Sequence, residues 1–308
     1  MSTVTESPES GKEAKMIAHS KYTMHIAAFT TVFMWSLANV LTRIAVLYYT
    51  PDTLSFLRYA VASFALLGYA FVKKMRLPAL RDVPWFVLGG ATGFAGFSYA
   101  FNLGARTVPA SIIGLILNTT PIVTAIFAWL LLRENIGRVG WFCVGGAFFG
   151  VGIITFSGDG LSIGPGISFV CLSAVFTSIY NIFQRKLLER YNPLEITTYC
   201  IAAGALLLSV FLPKSAAQLA HAPAGQIANV VVLGLFPTAL AYLCWAFALS
   251  IAKNTNDVIN YMFLIPILTI ALGCWLLGEL PRLADYAGGA IIILSVAIAH
   301  WRVNDAKG

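Results

Sequence analysis

The chain has 308 residues, 58% of them apolar and only 11% charged, with a mean hydropathy of +0.80; a soluble domain of this size carries about twice that charged fraction. Its net charge of +7 is not gathered into basic clusters interleaved with aromatics, which argues against nucleic acid as a partner. Its five cysteines, odd in number, lie inside apolar runs and never pair as CxxC, which argues against a disulfide framework or a metal centre.

The composition predicts an all-α polytopic membrane protein in a lipid bilayer, with no cofactor called for. Residues 1–24 are polar, lack an apolar core or cleavage site, and read as a disordered cytoplasmic tail instead of a signal peptide. Ten apolar runs long enough to cross a hydrocarbon core of about 30 Å follow, at 25–47, 54–72, 84–104, 109–132, 140–157, 164–184, 194–213, 226–249, 255–277 and 284–301.

Span one places Trp35, Asn39 and Arg43 on one helical face by their spacing of four. Arg43, in the outer third, is either an interfacial anchor or a residue at a cavity mouth, and Tyr48, Tyr49 and Pro51 mark the exit of that helix. Arg58, a few residues inside span two, is expected to snorkel to the outer surface. Span three carries Ser98, Tyr99 and Asn102 on one face, and Gly89-xxx-Gly93 allows close helix approach. Span four holds "NTTP", with Asn118, Thr119 and Thr120 stacked before Pro121 near its centre. A proline there leaves the carbonyl of Leu117 without its helix partner, so that point must face protein or water unless the threonine hydroxyls bond back to their own helix.

Span five contains Gly146-xxx-Gly150, another packing spacing. "GLSIG" at 160–164 fits the G-x-S-x-G pattern of serine hydrolases, but no strand leads into it and no histidine is nearby; "NTT" at 118–120 fits a glycosylation sequon at the membrane midplane, and both are set aside. Span six repeats the face of span one with Thr177, Asn181 and Arg185. Span eight presents Tyr242 and Trp245, and span nine carries Asn256, Asp257, Asn260 and Tyr261 ahead of Pro266, which frees the carbonyl of Met262. Asp257, beside Lys253, is read as locally paired or solvated at the interface, with a proton or cation site as the alternative. Span ten ends in a short cytoplasmic tail, 302–308.

"NVLTRIAVLYYTP" (39–51) and "NIFQRKLLERYNP" (181–193) share Asn, Arg, Tyr and Pro at a shift of 142. Pro121 to Glu134 and Pro266 to Glu279 keep one separation at a shift of 145, and "GGA" recurs at 145–147 and 288–290. The chain therefore reads as two five-helix units, 25–157 and 158–301. Because five is odd, the second unit enters from the opposite face as an inverted repeat. Loops such as Lys73, Lys74, Arg76, Arg81 and Arg185, Lys186, Arg190 on one side, against only Arg106, Lys214 and Arg282 on the other, put both termini in the cytoplasm of a cell (inner) membrane.

Two prolines at equivalent midplane positions point to a small-molecule site between the repeats, with Pro121 and Pro266 as helix-break or gating residues. Its candidate lining is Trp35, Asn39, Ser98, Tyr99, Asn102, Asn118, Thr119, Thr177, Asn181, Tyr242, Trp245, Asn260 and Tyr261. Flat aromatic surfaces with amide groups suit an amino acid, amine or aromatic metabolite; the alternative for each residue alone is interhelical glue or an interfacial aromatic belt.

Ten spans as a duplicated unit, Trp35, Pro51, "LRY" with Arg58, and the two Pro-to-Glu spacings together resemble the EamA-type branch of the drug/metabolite transporter superfamily over residues 25–301. The resemblance implies a central cavity lined by spans one, three, four, six, eight and nine, with spans five and ten as scaffold. Related small multidrug exporters use a glutamate in their first span for proton coupling; span one here has none, which argues against that mechanism. The resulting expectation is a permease exporting amino acids or related small metabolites by rocking of the two repeats. Organic cations or quaternary amines held by Trp35, Tyr99, Tyr242 or Trp245 are the alternative cargo. A non-transporting membrane interaction protein is the alternative of another class, while an enzyme lacks a nucleophile with a base at membrane depth. Substrate identity, direction, coupling and the choice between monomer and homodimer are left open by the sequence.

Overall fold

The computed structural model describes residues 8–156, 164–252 and 255–305. The described residues form ten helical segments. Helix α1 spans Pro8–Ala45 and α2 Pro51–Val72, the latter opened by a proline in its first turn, where the missing N–H costs nothing. Helix α3 joins Val83–Gly89, a π-helical stretch Gly90–Gly96 and Phe97–Ala105. Helix α4 is split into Ala110–Leu117 and Thr120–Leu132, and α5 is Gly137–Phe156.

Helix α6 is Gly164–Leu188. Helix α7, Pro193–Leu208, starts on a capping box in which Asn192 and Glu195 satisfy each other's backbone N–H groups, and it continues through Ser209–Phe211 and Leu212–Ala220. Helix α8 joins Ala224–Gly234, the π-helical Leu235–Leu240 and Ala241–Ile251. Helix α9 joins Thr255–Ile259, the 3₁₀ turn Asn260–Phe263 and Leu264–Leu277, and α10 is Leu283–Asp305.

Nine of these segments are long and apolar enough to cross a membrane. Helix α3, expected as the third of ten spans, is not among them although it is helical throughout 83–105. Gly89, Gly90, Gly93, Gly96 and Gly104, with Ser98, Tyr99 and Asn102, dilute its hydropathy. Those small residues let α3 approach its neighbours closely: a Cβ on Gly90 would lie 2.6 Å from the backbone N of Gly204, and one on Gly104 2.5 Å from Val170.

Helix α1 begins at Pro8, so the stretch read as a disordered tail is helical from that residue on. Extending a helix already nucleated in the membrane adds a hydrogen bond for each residue fixed, whereas a free tail would have to nucleate one. Span seven likewise continues past 213, to Ala220. The junction between the two units, most of the "GLSIG" segment and Lys253 lie outside the described residues.

Exchanging the first five helices for the last five reproduces the main packing pairs. Helix α1 packs on α8 and α9 as α6 packs on α3 and α4; α2 packs on α8 as α7 packs on α3; and α2·α7, α4·α9 and α5·α10 are self-related pairs. The helices α5 and α10 cross antiparallel, since a Cβ on Gly146 would meet Ser295, one on Gly150 would meet Ile292 and one on Gly288 would meet Ile154. Equivalent helices thus run in opposite directions, as an inverted repeat requires. The bundle has a terminal face, where α1 begins and α10 ends, and a far face.

Candidate functional site

Both central breaks lie next to the prolines. In α4 the helix stops at Leu117 and resumes at Thr120, and in α9 the 3₁₀ turn 260–263 precedes the helix that holds Pro266. The carbonyl orphaned by Pro121 is satisfied locally: Thr120 Oγ1 donates to Leu117 O at 2.6 Å, and Thr119 Oγ1 donates to Ile116 O at 2.7 Å. Asn118, between them, has a buried Nδ2 without a hydrogen-bond partner. Pro266 is buried, whereas Pro121 is exposed.

Around these breaks the polar contacts come in mirrored pairs. Asn39 Nδ2 donates to Thr269 Oγ1 at 3.2 Å, and Asn181 Nδ2 donates to Thr124 Oγ1 at 3.3 Å. Ser36 donates to Ile265 O and Ser178 to Thr120 O, both at 3.2 Å. Each contact maps onto its twin by the shifts of 142 and 145 seen in the sequence. The α1·α9 and α6·α4 seams are therefore the same joint, built twice and inverted.

One turn further on, each joint ends in an ion pair. At the far face Arg43 Nε lies 3.6 Å from Glu279 Oε1, with side chains only 22% and 16% exposed. Arg43 Nη1 also donates to Ala105 O at 2.6 Å and to Arg106 O, while the N–H of Ala110 donates to Glu279 Oε2 at 2.8 Å. The carboxylate thus caps the positive end of α4 and closes the α3–α4 turn onto α1 and α9. At the terminal face Arg185 Nη1 meets Glu134 Oε1 at 2.7 Å, with side chains 50% and 51% exposed.

Both glutamates are aimed by one device. The preceding residue is left-handed, Arg133 at φ 56° and Gly278 at φ 64°, and the glutamate N–H turns back to Ala128 O or Gly273 O.

A second cluster has no twin. Trp35 contacts Tyr242, ring centroids 5.5 Å apart, and Trp245, at 5.2 Å. Phe94 joins Tyr242 to Tyr59 and Tyr180 by edge contacts. Arg58 points into the bundle instead of snorkelling outward: it is 8% exposed, and its Nε donates to Thr238 Oγ1 at 2.8 Å. Thr238 sits in the π-helical turn midway along α8, where the loosened ladder also lets its hydroxyl donate to Leu233 O.

Of the residues expected to line a cavity, Trp35, Asn39, Tyr242 and Trp245 lie along the α1 face, and Asn118, Thr119, Thr177 and Asn181 along α4 and α6. Thr177 Oγ1 is buried without a partner. Thr119 also borders a small apolar cavity of about 110 Å³ between α4, α5 and α6. Ser98 and Asn102 are buried but serve as interhelical glue: Asn102 Nδ2 donates to Pro51 O and Ser55 Oγ and lies 3.4 Å from Ser98 Oγ.

Three candidates are not brought to the cluster. Tyr99 is 42% exposed and stacks on Phe211, Asn260 is exposed, and Tyr261 bonds His25 Nδ1 at 2.9 Å at the start of the apolar part of α1. Asp257 is exposed as well. The sequence reading missed Thr124, Thr269, Ser36, Ser178 and Thr238. The repeat shifts held the signal for the first four, since each stands on the same turn pattern as its twin.

The EamA-like transporter family model matches residues 23–156 and again 164–301. The chain is 30% identical to an uncharacterized transporter, YdfC, of Bacillus subtilis strain 168, over 88% of this chain and 89% of that one. It is 31% identical to a probable terminal-alkyne amino-acid exporter of Streptantibioticus cattleyicolor, over 90% and 93%. A crystal structure at 18% identity superposes with a TM-score of 0.59, covering 93% of this chain and 99% of the other, and shares the fold.

Proposed function

As the chain belongs to the EamA-like transporter family and is a multi-pass membrane transporter, we propose that it exports amino acids or closely related metabolites by alternating access. The observation that carries this reading is the twinned closure. The same Asn–Thr joint and the same Arg–Glu pair occur once toward each face, so opening one half and closing the other exchanges two nearly equivalent states.

The excess of Lys and Arg in the loops of the terminal face supports a cytoplasmic position for both termini in a cell membrane. The far face is then outer. Its ion pair is the more deeply buried of the two, although both pairs are formed. On this reading Asn39, Asn118, Thr119, Thr177 and Asn181 would line the solute path near Pro121 and Pro266, and Trp35, Tyr242 and Trp245 would form its aromatic wall. Amino-acid cargo is supported by this mixture of amide and aromatic surface and by the exporter among the relatives.

The aromatic wall by itself would also hold a quaternary ammonium, and one assay separates the two cargoes. Proteoliposomes preloaded with unlabelled amino acids should take up labelled amino acid transiently above its equilibrium level, and choline should not compete. Saturable counterflow of choline without any of amino acids would replace this cargo with the cationic one; no counterflow of any solute by folded protein would end the transport reading.

A further inference from the structure

Arg58 is the one buried cation among the described residues, and no carboxylate pairs with it. None of the ion pairs among the described residues includes it, and its hydrogen bond to Thr238 occupies Nε alone. Its guanidinium cannot shed its proton to ease the cost of burial. The remaining edge, Nη1 with Nη2, is the fork that binds a carboxylate through two parallel hydrogen bonds. Beside it stands Tyr59, whose ring centroid is 5.8 Å from the guanidinium carbon, and Tyr59 connects through Phe94 to Tyr242. Tyr242 leads directly to Trp35 and Trp245.

The inverted repeat supplies an internal control. Under the shift of 142, Arg58 corresponds to Cys200, and under the shift of 145, Thr238 corresponds to Gly93. In that second copy the space is filled: a Cβ on Gly93 would lie 2.5 Å from the Tyr180 ring, and one on Gly89 would lie 2.7 Å from Cys200 Sγ. Tyr180 in turn corresponds to Ala38, a methyl group where the other half carries a ring. The fold therefore does not need a charge at this place, because its twin is packed without one.

We propose that Arg58, oriented by Thr238, is the residue that binds the carboxylate of the transported solute, with the solute's apolar part held by Trp35, Tyr242 and Trp245. The substrate class is then an apolar α-amino acid or another small carboxylate, and not a simple organic cation. This inference rests on the reading of the chain as a solute transporter and narrows its cargo.

The test is counterflow with a panel of apolar L-amino acids (leucine, valine and phenylalanine), each paired with its carboxamide, in proteoliposomes carrying the wild type, Arg58→Gln or Arg58→Lys. Quenching of tryptophan fluorescence by the same compounds is followed in detergent. Carboxamides should compete at least tenfold more weakly than the acids in the wild type. Arg58→Gln should lose at least tenfold in transport, while Arg58→Lys, which keeps the charge but not the fork, should lose less. Equal competition by acids and carboxamides, or wild-type transport by Arg58→Gln, would overturn the proposal while leaving transport intact.

If Arg58→Gln does not fold, the acid-against-amide comparison in the wild type decides alone. If the wild type moves nothing, the transport reading fails instead, and the fluorescence titration still decides: quenching by acids only supports the carboxylate site, and quenching by both or neither refutes it.

Discussion

Asn39 and Asn181 make the same bond at opposite ends of the molecule, and that equivalence sets what their loss should do. A hydrogen bond between membrane helices contributes about 0.6 kcal/mol on average and up to roughly 1.7 kcal/mol. Asn39→Ala and Asn181→Ala should therefore destabilise by similar amounts of this order. A double-mutant cycle of Asn39 with Thr269 should return a coupling near ~0.6 kcal/mol, and Asn39 with Thr124 none; unfolding in mixed detergent micelles measures both. Half of each pair was legible: the spacing of four put Asn39 on the face of Trp35 and Arg43. Its partner was not, because Thr269 is 230 positions away and nothing in its own surroundings marks it as an acceptor. Arg58 misled for a related reason. Its position near the start of α2 can be read from the sequence, but the direction of its side chain is set by Thr238 on another helix.

The closest helix seams depend on contacts that a single methyl group would block. A Cβ on Gly150 would sit 2.6 Å from Gly288 O, and one on Gly90 2.6 Å from Gly204 N, against backbone that cannot swing aside. Gly150→Ala and Gly90→Ala should lower the Tm by several degrees or prevent recovery of folded protein. Gly145→Ala and Gly152→Ala, with nothing within 4 Å, should be neutral; equal effects at all four would contradict this account of the seams. All ten spans were read from apolar runs, and among the described residues nine of them meet the length and apolarity of a membrane crossing; α3, read at 84–104, gave up hydropathy for close packing. The proline breaks were legible as breaks. How Leu117 is satisfied was one of two readings, and the Thr120 hydroxyl decides it.

Symmetry separates two kinds of residue in the assembled bundle. On the proposed mechanism the twinned groups, Asn39/Asn181, Ser36/Ser178, Arg43/Arg185 and Glu279/Glu134, would serve the exchange between states. The untwinned ones, Arg58, Thr238, Trp35, Tyr242 and Trp245, would hold the cargo. Substitution of a twinned group should shift the balance between faces, and substitution of an untwinned one should shift affinity. Glu279→Gln should thus favour opening of the far face and Glu134→Gln opening of the terminal face, read as opposite changes in labelling of single cysteines at each end by an impermeant reagent. The duplication was legible from three concordant shifts in the sequence. The pairing of Arg43 with Glu279 was not, because it joins the first copy to the second.

Alternating access is tested most directly by distances across both faces of one protein. Spin labels at Leu47 and Leu280 flank the far-face ion pair, and labels at Glu189 and Asn135 flank its twin; all four positions are exposed. With the five native cysteines replaced by alanine, pulsed electron resonance in lipid nanodiscs reads each pair, with and without an apolar amino acid. The account predicts two distances for each pair and opposite responses, one face narrowing as the other widens, and a shift of both populations by Glu279→Gln. A single unchanging distance at both faces, in protein that binds its solute, would contradict it.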